Sequence, residues 1–190
     1  MRLLLCLLVF FALNSTTTGQ SSPWDDVPLV KVTEVTLPTS VLKGKWKPSD
    51  GVQIDDLSKA NRKLPGHSEL IEALEKTGPK GLKSVADYTL VATGFPLNTV
   101  TVRVFVFDET SQCEGWWKRK YEGDGWDKHY EKLDYTDVVA VRSLQSPKIA
   151  ASFGRVWITA HQLQSGDEHE QAARYVIEQL TKGKRSLTKP

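Results

Sequence analysis

Cysteine is nearly absent from this chain, which has two, Cys6 and Cys113. Cys6 lies in an apolar leader, so the domain behind it holds one thiol and no internal disulfide. That excludes a disulfide-stapled scaffold and leaves the core to hold the fold. Long apolar runs are equally scarce. The run Leu3 to Leu13 (LLLCLLVFFAL) falls short of the roughly 20 residues a membrane-spanning helix needs. An excess of one charge is missing too. With Arg2 removed among the leader residues, the 25 basic residues fall to 24 against 23 acidic. Near-neutrality argues against a dedicated nucleic-acid binder, which carries a basic excess. The patterns GxGxxG, GxxxxGK[ST], GxSxG, HExxH and CxxC do not occur. The common nucleotide, serine-hydrolase, zinc-protease and dithiol readings therefore have no motif behind them.

What is present begins with an export signal. One basic residue, Arg2, precedes the apolar run, and a polar stretch of small residues follows, Asn14 to Gln20 (NSTTTGQ). That is the pattern of a cleaved secretory signal peptide. Residues 1–19 are expected to be removed after Gly19, leaving a soluble product in a periplasm or outside the cell. Residues 20–26 read as a flexible start, 27–182 as a single small domain, and 183–190 as a disordered tail.

The periodicities inside 27–182 alternate between strand and helix. Residues 27–36 alternate apolar and polar, as a strand does. Gly44, Pro48, Gly51, Pro65 and Gly66 break up 39–67, a stretch Trp46 is expected to anchor. A helix is predicted over 68–77, capped by Ser68 and stopped by Gly78-Pro79. Strands over 84–93 and 99–108 flank a turn at Phe95–Asn98 and form a hairpin. In the second, Val100, Val102, Val104 and Val106 share one face, and Phe105 and Phe107 lie on the other, so it is expected to be central. A helix over 111–121 carries a Ser111/Glu114 capping box and aligns Cys113, Trp117 and Tyr121 on one face. Strands follow over 136–144, 148–153 and 155–161. A final helix over 168–182 has an Asp167/Glu170 capping box, a stripe of Ala173, Val176, Ile177 and Leu180, and an end at Gly183. Hairpins with interspersed helices predict an α+β fold, an antiparallel β-sheet with helices packed on it. In this order of elements the chain resembles the small exported α+β domains of the photosystem-accessory PsbP type. The resemblance implies a fold and no site.

Candidate chemistry is sparse. His161, Asp167 and His169 are a set able to hold a metal if the last strand delivers His161 to the start of the last helix. They would serve a metal-dependent hydrolase, although Asp167 is also explained as a helix cap. Cys113 with His129 or His161 supplies the residue types of a nucleophile and base. Glu122, Asp124 and Asp127 crowd a glycine-rich turn of the kind that can hold calcium, without EF-hand spacing. Those residues, or Asp55 with Asp56, are the available carboxylate pairs. The densest feature is aromatic: Trp116, Trp117, Tyr121, Trp126, Tyr130 and Tyr135, with Lys118, Arg119 and Lys120 interleaved. Exposed rings beside charges suit sugars, peptides or protein surfaces, whereas buried ones serve packing. The leading expectation is a non-enzymatic exported binding or accessory domain. It needs no cofactor, and it contacts a protein, peptide or carbohydrate through Trp116, Trp117, Tyr121, Trp126 and Tyr130. It is expected as a monomer or a Cys113-linked dimer.

Overall fold

Residues Thr99–Phe107 (TVTVRVFVF) bury every side chain except those of Thr99 and Arg103. A strand apolar on both sides must be covered on both sides, and this one lies inside the sheet. The computed structural model describes residues 31–49, 51–94, 97–123, 128–135 and 138–185, with side chains up to Thr181. The leader 1–19, the segment 20–26, residues 27–30, Trp126 and the tail beyond Arg185 lie outside the described residues.

In chain order the elements are β1 (Trp46–Pro48), β2 (Val52–Ile54), α1 (His67–Thr77), β3 (Leu82–Ala92), β4 (Thr99–Phe107) and α2 (Thr110–Tyr121). They continue with β5 (Tyr130–Tyr135), β6 (Val138–Ser143), β7 (Lys148–Phe153), β8 (Val156–Gln162) and α3 (Glu168–Arg185). The strands form one antiparallel sheet in the order β1-β3-β4-β8-β7-β6-β5, with β2 also on β3. The fold is α+β, an antiparallel sheet with helices packed on it, as the periodicities predict.

Strand alternation divides the core into two layers. On one face Val100, Val102, Val104 and Val106 join Ile149, Ala151, Ile158 and Ala160 under Ala172, Ala173, Val176, Ile177 and Leu180 of α3. On the other face Val85, Phe105, Ala150 and Trp157 meet Cys113, Trp117 and Tyr121 of α2 and Ile71 of α1. Each fully buried aliphatic or aromatic side chain is worth about 1.5–3 kcal/mol relative to its exposed state. The two layers therefore hold the fold without a disulfide.

The residues before β1 depart from the strand expected over 27–36. Val32–Glu34 form a 3-10 turn, and Val32, Val35 and Leu37 bury themselves on the α3 face without joining the sheet. The polar groups of this segment bond to side chains instead. Tyr88 donates its hydroxyl to Val32 O at 2.7 Å, Thr33 donates to Asp55, and Gln179 donates to Thr36 O. Alternation marked burial here, not sheet pairing. Trp46 does anchor its loop, donating from its indole to Lys43 O at 2.7 Å while packing on the core.

The helix starts are also corrected. Gly66 precedes α1 at φ +75, and the Ser68 hydroxyl turns to Glu72. The capping box of α2 is Glu109 with Gln112, two residues earlier than Ser111/Glu114. Gly81 makes room for it: at φ +78 its missing Cβ would collide with the Gln112 side chain. At α3 the cap comes from another element. Gln162 of β8 accepts the His169 N–H at 3.2 Å and donates to Glu168 at 2.7 Å, while Glu170 pairs with Arg142 and Arg174. α3 also runs through Gly183 to Arg185.

Candidate functional site

A groove of about 520 Å³ opens between the connection from α1 to β3 and the flank of α2. Its lining comes from Gly78 and Lys80 on one side and Ser111, Gln112, Gly115, Trp116 and Arg119 on the other. Helical spacing sets that flank. Cys113, Trp117 and Tyr121 recur every fourth residue and turn into the core, which leaves Gln112, Trp116 and Arg119 to line the groove opposite Gly78 and Lys80. Gly115 keeps the helix surface shallow at the groove. Trp116 is half-buried. It stands edge-on to Trp157 at 5.7 Å and 65°, and Trp157 stacks on Phe105 at 4.5 Å. The Trp116 indole N–H is shut off from solvent and meets no acceptor among the described residues.

Cations gather around this ring. The Arg119 guanidinium lies 5.6 Å and the Lys120 ammonium 5.0 Å from the ring centroid, an arrangement the ring quadrupole favours. Beyond α2 the same sheet face is polar. Arg103 pairs with Asp87 at 2.6 Å, and Lys148 lies directly opposite His161. Burial lowers the Lys148 pKa, and the charge of Lys120 lowers it further. His161 is lowered by burial first and by Arg103 next. Two like charges held near one another are a local surplus of positive potential in a nearly neutral chain.

No family model and no curated protein matches the sequence. A solved structure does match the fold. The chain is similar in fold to the extracellular domain of PknH from Mycobacterium tuberculosis. The TM-score is 0.50 at 10% identity, and the match covers 82% of this chain and 98% of the PknH domain. At that identity the similarity to the PknH domain concerns the fold alone.

The aromatic cluster does not form a single platform. Trp117 is 5% and Tyr121 3% exposed. Their rings pack together at 4.6 Å, and Tyr130 meets Tyr121 edge-on at 5.2 Å. Trp117 and Tyr121 are core, because the same four-residue spacing that aligned them with Cys113 aimed them at the sheet. Tyr130 is half-buried against that core, and Trp126 lies outside the described residues. Trp116, one residue out of phase, is the cluster ring that lines the groove.

The other candidates separate. His161 and Gln162 are consecutive on β8 and point to opposite faces. Gln162 reaches under α3 to His169, whose Nδ1 lies 3.2 Å from Gln162 Oε1. His161 is on the far side of the sheet, beside Lys148. The sheet thus stands between the two imidazoles, and no metal-holding group of three His, Cys, Asp or Glu side chains occurs among the described residues. Cys113 is fully buried with its sulfur 3.3 Å from Ser152 Oγ, and burial pushes its thiol up to about 11. It lacks the exposure a linked dimer needs, and among the described residues its sulfur meets the Ser152 hydroxyl and no base. His129 instead contacts Gln145. Asp55 accepts from Thr33, and Asp56 caps the 3-10 turn at Leu57–Lys59. Each carboxylate already has a structural task. Asp124 and Asp127 of the glycine-rich turn lie outside the described residues. No described helix is long and apolar enough to cross a membrane.

Proposed function

We propose that this is an exported, non-enzymatic binding domain that seats its ligand in the groove between the α1–β3 connection and α2, on Trp116. The observation that carries the reading is the Trp116 ring: half-exposed in a groove, with two cations over the ring. An apolar ring with a few polar groups converging on it is the general make-up of a binding site. Two further points support the reading. The residues offered for metal hydrolysis fall on opposite faces of the sheet. The PknH domain of the same fold is extracellular, in keeping with the export signal read in residues 1–19.

Native mass spectrometry of the protein purified from its own source, without chelator, tests this. The wild-type chain is expected to carry a bound mass that Trp116→Ala loses and the distant surface variant Lys47→Ala keeps. A bound mass retained by Trp116→Ala would overturn the groove as the site. A bare wild-type chain that gains no ligand from its own culture medium would overturn the binding reading.

A further inference from the structure

The charges around Trp116 bear on what the groove can hold. Arg119 and Lys120 meet the ring from one helical turn, Lys80 faces them across the groove, and Lys148 lies beyond Lys120 on β7. None of these four pairs with a carboxylate among the described residues. Glu109, beside the groove, is engaged at the start of α2, where its carboxylate accepts from the Ser111 hydroxyl and the Gln112 backbone.

The cations do not converge on one point, as they would around a single phosphate. They are spaced from the α1–β3 connection, across α2, to the open half of the sheet. A ligand that meets all of them is extended and carries its negative charges at intervals. The half-exposed indole amid them suits a sugar ring, which presents apolar C–H edges to an aromatic surface.

Resting on the groove reading above, we infer that the ligand is an acidic polysaccharide, its sugar rings passing over Trp116 and its carboxylates meeting Lys80, Arg119, Lys120 and Lys148. The cation–π contacts hold Arg119 and Lys120 in place before binding, which lowers the side-chain entropy lost on association. Lys148 gains most from the polymer. Its charged form is disfavoured by burial and by Lys120, and a ligand carboxylate beside it offsets the Lys120 repulsion.

The test is titration calorimetry of the full domain with polygalacturonate, using neutral dextran and poly-glutamate as controls, at low and high salt. Polygalacturonate is expected to bind, to weaken as salt rises because Arg119 and Lys120 are exposed, and to weaken about tenfold or more in the double variant Arg119→Ala/Lys120→Ala. Dextran is expected not to bind. Equal binding of poly-glutamate would overturn the polysaccharide in favour of an acidic peptide. Binding of dextran, or affinity untouched by salt and by the double variant, would overturn the anionic ligand. Those results leave the groove standing if Trp116→Ala still removes the native bound mass. If the double variant proves unstable, Lys148→Gln read by the same titration replaces it, with weaker polygalacturonate binding expected and unchanged binding counting against the inference.

Discussion

Replacing Trp117 with alanine separates the two uses of tryptophan on α2. Trp117 is 5% exposed and packs among Cys113, Tyr121, Val141 and Ala150 in the layer between helix and sheet. Removing a buried tryptophan side chain costs about 3–5 kcal/mol, the spread depending on how far the cavity collapses. Here the strands fix one wall of that cavity, and the Tyr121 ring at 4.6 Å forms another. In a domain of this size each kcal/mol moves the midpoint by about 2–4 °C. Trp117→Ala is therefore expected to lower Tm by roughly 6–20 °C. Trp116→Ala loses a half-exposed ring and one edge contact with Trp157, a cost of about 1–2 kcal/mol. Urea unfolding followed by far-ultraviolet circular dichroism on both variants gives the comparison. The folded fraction of Trp117→Ala should still take up ligand, and that of Trp116→Ala should not. A Trp117→Ala variant within 1 kcal/mol of wild type, or a Trp116→Ala variant equally destabilised, would refute the assignment of core and groove rings.

Burial of Cys113 and its contact with Ser152 predict that a thiol-specific aromatic disulfide reagent at pH 8 reacts slowly with the native domain and at once in urea. Immediate native reaction, or a reductant-sensitive dimer on a gel, would contradict that placement. The His169 pKa is lowered by burial, with Arg142 adding to the shift and Glu170, Glu168 and Asp167 opposing it. The start of α3 disfavours its cation as well. Its folded value lies below the unfolded value of about 6.5, so the unfolded chain takes the proton first. Stability should be flat above that pH and fall as the pH drops through it toward the folded value. His161 is shifted in the same direction, so His169→Gln should remove part, not all, of the loss in urea midpoint between pH 7.5 and 5.5. An unchanged slope in His169→Gln would refute the role of His169.

Much of the architecture was legible because it is written in local periodicity. The four valines at 100, 102, 104 and 106 opposite Phe105 and Phe107 announced a central strand, and β4 lies between β3 and β8. The three strands from Val138 to Gln162 and the apolar stripe of α3 were equally plain. β5 was not. Its sequence YEKLDY is polar and partly exposed, so its strand character comes from pairing with β6, not from a buried face of its own. β1 and β2 are too short to show a period at all, and exist because β3 offers them an edge.

The candidate site divides in the same way. The sequence by itself determined that an aromatic, cationic stretch exists, and that Cys113, Trp117 and Tyr121 share one helix face while Trp116 lies off it. Only the tertiary structure decided which face meets the sheet. That choice buried Trp117 and Tyr121, brought the Gly78–Lys80 connection alongside Trp116 to make the groove, and put β-sheet between His161 and His169. A helical or strand period says which residues lie together on one element. Which element then covers them depends on long-range register and packing, and those interactions leave no local mark in the chain.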